Sequence, residues 1–409
     1  MTEKQIPDII LRQSFLSKRW KFRYNVVLGR NEFCFSNSNE YRLMTEYDFN
    51  SILRLLAEEE LTTPATGLKK LLESSFVLKY NPFHDYLNGL DAWDEETDYI
   101  DLLASTITTT NDEFWHKTFK VWLIAMVGSL LEDNVINHTF LVFTGKQGVG
   151  KTTWLNNLVP ATLKNYYFTG AIDPKNKDSL IQLSENMLIN IDELQGLKSS
   201  DIHALKALIT AKEVKIRRPY AVNHESLPHR ASFVGSVNSR EFLSDVTGNR
   251  RFLCFEVLSI EYNHGIPLDK VYAQAASLFR SGFQYWFDKE DVEFLNQNNE
   301  DFRIRPMEEE LLLKYFDPCT EDDELKQFMT PTEMMNTMAK LADINFDGRN
   351  VYRLGKILNQ HGYIRLKKKG VYGYYVKPKA SSIGYGYVND GMSSNKLNKE
   401  ILETTIQNN

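Results

Sequence analysis

The chain has 409 residues, which at roughly 100 to 200 residues per domain allows two to four units with cores of their own and excludes a single small module. A composition of 42% hydrophobic, 12% aromatic and 25% charged residues excludes disordered, collagen-like and solenoid chemistry. With 48 Lys plus Arg against 54 Asp plus Glu the formal charge is −6, so any surface for a polyanion must be a local patch.

Three cysteines, Cys34, Cys254 and Cys319, are too scattered for a disulfide framework or a paired metal motif, and they fit a reducing cytosol. The N-terminal MTEKQIPDIILRQ is broken by charge and proline and lacks the apolar region of a secretion signal. Val121 to Leu131 is the longest apolar run; it falls short of the about 18 residues that span a bilayer and reads as a buried helix. A cytoplasmic protein without membrane segments is expected.

Residues 1–65 alternate at Asn25-Val-Val-Leu-Gly and Asn31-Glu-Phe-Cys-Phe, then show helical spacing through Phe49, Ile52 and Leu56, which predicts a small α+β unit. Residues 66–136 are helical in period and predict a collar, with Asn81 capping a helix whose first turn holds Pro82. Over 137–316 short apolar runs (Thr139 to Thr144, Met187 to Ile191, Ser232 to Val237, Phe252 to Val257) alternate with helical segments, the α/β pattern of a mostly parallel sheet. Acids cluster between Asp317 and Met329, where a domain boundary is expected. The capping box Thr330-Pro-Thr-Glu333 then opens a module over 330–379. The Ser-, Gly- and Asn-rich tail, 380–409, is expected to be flexible.

Gly145-Lys-Gln-Gly148-Val-Gly150-Lys151-Thr152 matches the phosphate-loop pattern G-x-x-x-x-G-K-[ST], placed after an apolar strand and before a helical stretch that opens at Thr153. Glycines let the backbone wrap phosphate, Lys151 reaches the β and γ oxygens, and the Thr152 hydroxyl suits Mg²⁺. Such a loop needs an acid at a neighbouring strand end, and Asp192-Glu193 supplies two. Asp192 is the Mg²⁺ partner and Glu193 the group that polarises an attacking water. Asn238, closing the strand from Phe233, is a candidate sensor of the γ-phosphate or water. Arg250 and Arg251, just before the next strand, are candidates to stabilise charge on a neighbouring subunit's nucleotide. HESLPH (224–229) is one residue too long for the zinc motif HExxH, and Pro228 breaks the helix that motif requires.

In that order the motifs resemble the core of superfamily 3 helicases, a branch of the AAA+ ATPases. Leu205-Lys-Ala-Leu-Ile-Thr210, Arg217-Arg-Pro-Tyr220 and Thr247-Gly-Asn-Arg-Arg-Phe252 are more closely similar to the virulence-associated protein E family, primase-helicases of phages and mobile islands. Over roughly residues 80 to 257 the resemblance implies ATP and Mg²⁺ at Lys151, Thr152, Asp192, Glu193 and Asn238, an arginine finger at Arg250 or Arg251, and a DNA-tracking hairpin beyond Lys206. Priming activity is not implied, since the first 80 residues show no polymerase carboxylate pattern. Val214 and Ile216 alternate with Lys215 and Arg217, and Arg218 and Tyr220 follow, so the hairpin has a packing face and a cationic, aromatic face suited to DNA.

Residues 331–342 and 350–360 read as helices, and Tyr363 to Val376 as a hairpin turning at Gly370; together they resemble a winged helix-turn-helix. Asp347 to Lys379 holds nine Lys or Arg against one acid, a local +8. Arg349, Arg353 and Lys356 recur at helical spacing, and Lys367, Lys368 and Lys369 arm the wing. Protein docking is the other use of such a module. The expectation is an α/β P-loop ATPase core with an N-terminal helical collar and a C-terminal winged-helix domain. It would act as a ring-forming DNA helicase, a hexamer, in the replication of a phage or mobile element, on single- and double-stranded DNA and with a separate primase or other replication proteins. The alternatives are a regulatory NTPase switch and a loader that does not translocate.

Overall fold

The computed structural model describes residues 7–379 except 174–175, 193–198, 217, 219–222 and 244–248. Glu193, Arg217, Tyr220 and the tail from Ala380 lie outside the described residues, and of Asp192 and Arg349 only the backbone is described. The chain divides into two compact units, Met1–Arg303 and Ile304–Asn409.

The first unit opens with α1 (Asp8–Arg19), β1 (Trp20–Asn25), β2 (Arg30–Phe35), β3 (Arg42–Leu43), α2 (Glu46–Glu58), α3 (Ala65–Leu72) and β4 (Leu78–Tyr80). Its four strands lie in the order β3-β2-β1-β4. Ile52, Leu56, Leu68 and Leu72 of the helices pack with Leu16, Trp20 and Phe33. Val26 to Gly29, expected as strand, is the hairpin turn: the Asn25 side chain accepts from the amides of Val27 and Leu28 and holds the backbone in place. Pairing of β4 with β1 carries this subdomain to Tyr80, beyond the expected limit at 65.

Next come α4 (Pro82–Gly89), α5 (Tyr99–Ala104), β5 (Ile107–Thr109) and α6 (Asp112–Leu131). The Asn81 side chain accepts from Phe83 and His84 at the start of α4, as its position before Pro82 predicts. Nearly every residue of α6 from Thr118 to Leu130 is buried, which is why its sequence is apolar all round rather than striped.

The central sheet follows: β6 (Phe140–Thr144), α7 (Lys151–Asn157), β7 (Tyr167–Thr169), α8 (Lys177–Glu185), β8 (Leu188–Asp192), α9 (Ser199–Ile209), the ribbon β9 (Glu213–Ile216) and β10 (Glu225–Pro228), β11 (Ser232–Ser236) and β12 (Phe252–Ile260). Helices α10 (Leu268–Arg280) and α11 (Lys289–Asn299) close the unit. The strand order is β5-β12-β6-β11-β8-β7, with β5 antiparallel to β12 and the other neighbours parallel. Helices cover both faces, so β6 is buried at every residue and reads as a continuous apolar run. Because β11 returns between β6 and β8, register places Ser236 beside both Phe143 and Asp192. The ends of β6 and β8 thus face one edge, one strand apart.

In the second unit, α12 (Met307–Tyr315), β13 (Phe316–Pro318), β14 (Gln327–Met329), α13 (Pro331–Ala342), α14 (Gly348–Gln360), β15 (Arg365–Lys368) and β16 (Val371–Pro378) enclose Leu312, Met334, Met338, Leu354, Leu358 and Val376. The capping box forms as read, with Thr330 and Glu333 bonding reciprocally. Lys369 and Gly370 both take positive φ, 48° and 85°, and turn the hairpin where Gly370 predicts it. The division between units falls at Arg303 rather than in the acidic stretch. Phe316 and Met329, which flank that stretch, pair with β16 and enter this core, and α12 joins them.

Candidate functional site

The loop from Gly145 to Gly150 leaves the end of β6 and enters α7, with φ of 134°, 85° and 97° at Gly145, Gly148 and Gly150. Only glycine fits at two of these. A Cβ on Gly145 would lie 2.6 Å from the Val257 carbonyl oxygen, and one on Gly150 2.6 Å from the Tyr262 ring. Lys151 is buried, and its Nζ donates to the carbonyls of Gly145 at 2.7 Å and Lys146 at 2.9 Å and to Asn238 Oδ1 at 3.4 Å. Burial holds this ammonium below the usual lysine range. Beside it, Thr152 Oγ1 lies 3.3 Å from Ser236 Oγ, while Thr153 is exposed on the helix surface. Ser236 in turn is the register partner of Asp192. The structure therefore brings Gly145, Gly148, Gly150, Lys151, Thr152, Asn238 and the backbone of Asp192 to one edge. Lysine, hydroxyl and amide groups converge there, next to the strand end that carries the acid.

Arg250 and Arg251 are not part of that cluster. They occupy a single 3₁₀ turn, Asn249–Arg251, before β12, and Phe252 pairs with Phe140 at the opposite end of β6 from the loop. Five strand residues at about 3.3 Å each put them some 16 Å away along the sheet. With His138, Thr210 and Trp286 they line a cavity of about 490 Å³. Burial, then Arg251 and Lys212, push the His138 imidazole below its usual range. Arg250 is exposed and Arg251 half-buried.

Several predicted DNA contacts have other partners. Lys215 is exposed on β9 and pairs with Glu213 at 2.9 Å, and Val214 and Ile216 are buried as their alternation predicts. Arg218 is instead a bolt: it pairs with Glu185 at 2.6 Å and donates to the carbonyls of Leu28 at 2.7 Å and Val27 at 3.0 Å, with its side chain 12% exposed. On α14 Arg353 pairs at 3.2 Å with the buried Glu308, while Lys356 lies over the exposed Tyr352 ring. In the hairpin Lys368 is drawn back onto Tyr375, 3.4 Å from its hydroxyl, whereas Lys367 and Arg365 flank the exposed Tyr372 ring. Two residues beside the glycine loop went unread in the sequence. Ser236, a small polar residue at an apolar strand's end two positions before Asn238, carried a signal; Tyr262, brought to Gly150 only by the fold, carried none.

The family model for the virulence-associated protein E-like domain matches residues 87–304. Among solved structures, the apo structure of the NrS-1 C-terminal region (305–718) aligns at 13% identity with a TM-score of 0.51, over 92% of this chain and 100% of that chain. The A form apo structure of the same region aligns at 14% identity with a TM-score of 0.47, over 91% and 99%. Identities this low bear on fold alone. No curated protein matches the sequence. Since the family match takes in more than half of the 409 residues, the chain belongs to the virulence-associated protein E-like family.

Proposed function

We propose that this chain is an ATP-dependent DNA helicase or translocase of a phage or mobile element, with an AAA+, superfamily 3-like core that hydrolyses ATP at the interfaces of a homo-oligomeric ring, a hexamer. The observation that carries the reading is the convergence of Lys151, Thr152 and Asn238 at the sheet edge where β8 ends in Asp192. Ligands of open α/β sheets bind outside the carboxyl ends of the strands, and a glycine loop followed by Lys-Thr at that edge suits a triphosphate. The Thr152 hydroxyl and the Asp192 carboxylate are hard oxygen donors of the kind Mg²⁺ takes, and they belong to the loop and the strand that frame Ser236. Bound there, Mg²⁺ would neutralise phosphate charge. Lys151, already desolvated and held by carbonyl oxygens, can exchange them for phosphate oxygens. Asn238, within reach of the same ammonium, can orient a water that Glu193 polarises.

Separation of the arginines from this edge favours a finger acting across an interface. Arg250 cannot bridge some 16 Å to its own loop, but as the exposed member of the pair it can enter a neighbour's site. Lys215 of β9, with Arg217 and Tyr220 that follow it in the sequence, is the proposed single-strand grip. The second unit, read as a winged helix, is the proposed duplex-binding module through Arg349, Lys356, Arg365, Lys367 and Lys369. A separate primase is the expected partner in replication.

Purified full-length chain should hydrolyse ATP in the presence of Mg²⁺, faster with single-stranded DNA, and assemble into a ring visible by native mass spectrometry. Turnover that ignores DNA would favour the NTPase switch, and turnover undiminished in Lys151→Ala would remove the site assignment.

A further inference from the structure

The turn that presents the arginines is clamped by buried groups. Asn299, 1% exposed at the end of α11, donates its Nδ2 to the carbonyls of Asn249 and Phe252, both at 2.8 Å, which are the residues flanking Arg250 and Arg251. From the other side Lys206 of α9, 5% exposed, donates to Asn249 Oδ1 at 3.1 Å and lies 5.6 Å from the centre of the Phe252 ring. Burying a lysine is costly, and here the ammonium is spent on a side chain one residue from the arginine pair. This also explains why Lys206, expected to lead into a DNA hairpin, is not on a surface.

Helix α9 packs on the central sheet. It starts seven residues after Asp192, and its Ile202, Leu205 and Ile209 pack with Ile189, Ile191 and Phe233 of the sheet. That packing holds α9, and with it Lys206, against the sheet whose β12 follows the arginine turn.

We propose that Lys206 and Asn249 are a positioning pair that sets the arginines a chain offers to the next subunit. This inference rests on the interfacial ATPase reading above. The test is subunit mixing in the full-length protein. Lys206→Met keeps the apolar stem without the donor; it should bind a fluorescent ATP analogue as wild type does while turnover falls at least tenfold. Mixed with Lys151→Ala, whose arginines are intact, it should regain turnover. Mixed with the double mutant Arg250→Ala, Arg251→Ala it should not, and Lys206→Arg, which keeps a donor, should restore most activity. The control is Lys151→Ala mixed with the arginine double mutant. If that pair fails to complement, the interface reading itself falls and this proposal with it. If the control succeeds, wild-type turnover in Lys206→Met, loss of its ATP binding, or its rescue of the arginine double mutant each overturns the positioning role alone.

Discussion

Replacing Arg218 with methionine should unfold the first unit more easily and leave DNA affinity unchanged, the reverse of what its place in a basic hairpin suggests. Its side chain is 12% exposed and that of its partner Glu185 19%, and the Arg218 guanidinium also satisfies two carbonyls in the β1–β2 turn. Removing one partner of a buried ion pair costs about 3–5 kcal/mol, because the other charge is left desolvated. The turn carbonyls add less, since an uncharged acceptor left without its donor costs less than a stranded charge. Glu185 is already held above the usual carboxylate range by burial, against the opposing pull of Arg218. Without Arg218 it should accept a proton at still higher pH, so the mutant's deficit should shrink as pH falls. Denaturant unfolding of Arg218→Met, Glu185→Gln and the double mutant would measure the pair directly: the double should be less damaged than the sum of the singles. A methionine variant within about 1 kcal/mol of wild type but weaker on single-stranded DNA would refute the bolt and return Arg218 to the DNA surface.

Lys151→Ala should abolish ATP turnover and weaken ATP binding, while Glu193→Gln should retain bound ATP without hydrolysing it; nucleotide filter binding alongside phosphate release separates the two. In the second unit, Lys356→Ala and Lys367→Ala should lower duplex affinity and flatten the slope of log affinity against log salt by about one for each phosphate no longer neutralised. Lys368→Ala, whose ammonium is turned onto Tyr375, should leave that slope unchanged. His138, His229 and His264 are each held below the usual imidazole range, first by burial. The unfolded chain takes up protons that the folded one refuses, so their contribution to stability is present above about pH 6.5 and is lost as pH falls, by up to about 1.4 kcal/mol per pH unit for each histidine. Denaturation at pH 7.5 and 5.5 checks the sign, and Arg251→Ala, which removes a repelling charge from His138, should lessen the loss.

Sequence alone determined the parts whose physics is local. The loop from Gly145 to Gly150 is legible because the glycines that take its left-handed turns and the Lys-Thr that opens α7 are contiguous, and the caps at Asn81 and Thr330 because a cap bonds within three residues. Strands of the central sheet are legible because burial on both faces favours runs of mostly apolar residues in them. Tertiary structure alone decided that β11 comes back between β6 and β8, and so that Asn238 meets Lys151 while Arg250 ends at the far edge. It also sorted the cations. Arg218, Arg353 and Lys206 are as basic as Lys215 or Lys367 on paper, but the first two meet the carboxylates of Glu185 and Glu308, 33 and 45 residues away, and the third is buried against Asn249, 43 residues away. A charge count registers how many cations a segment holds; whether one is free for phosphate depends on a partner that the fold brings from elsewhere in the chain.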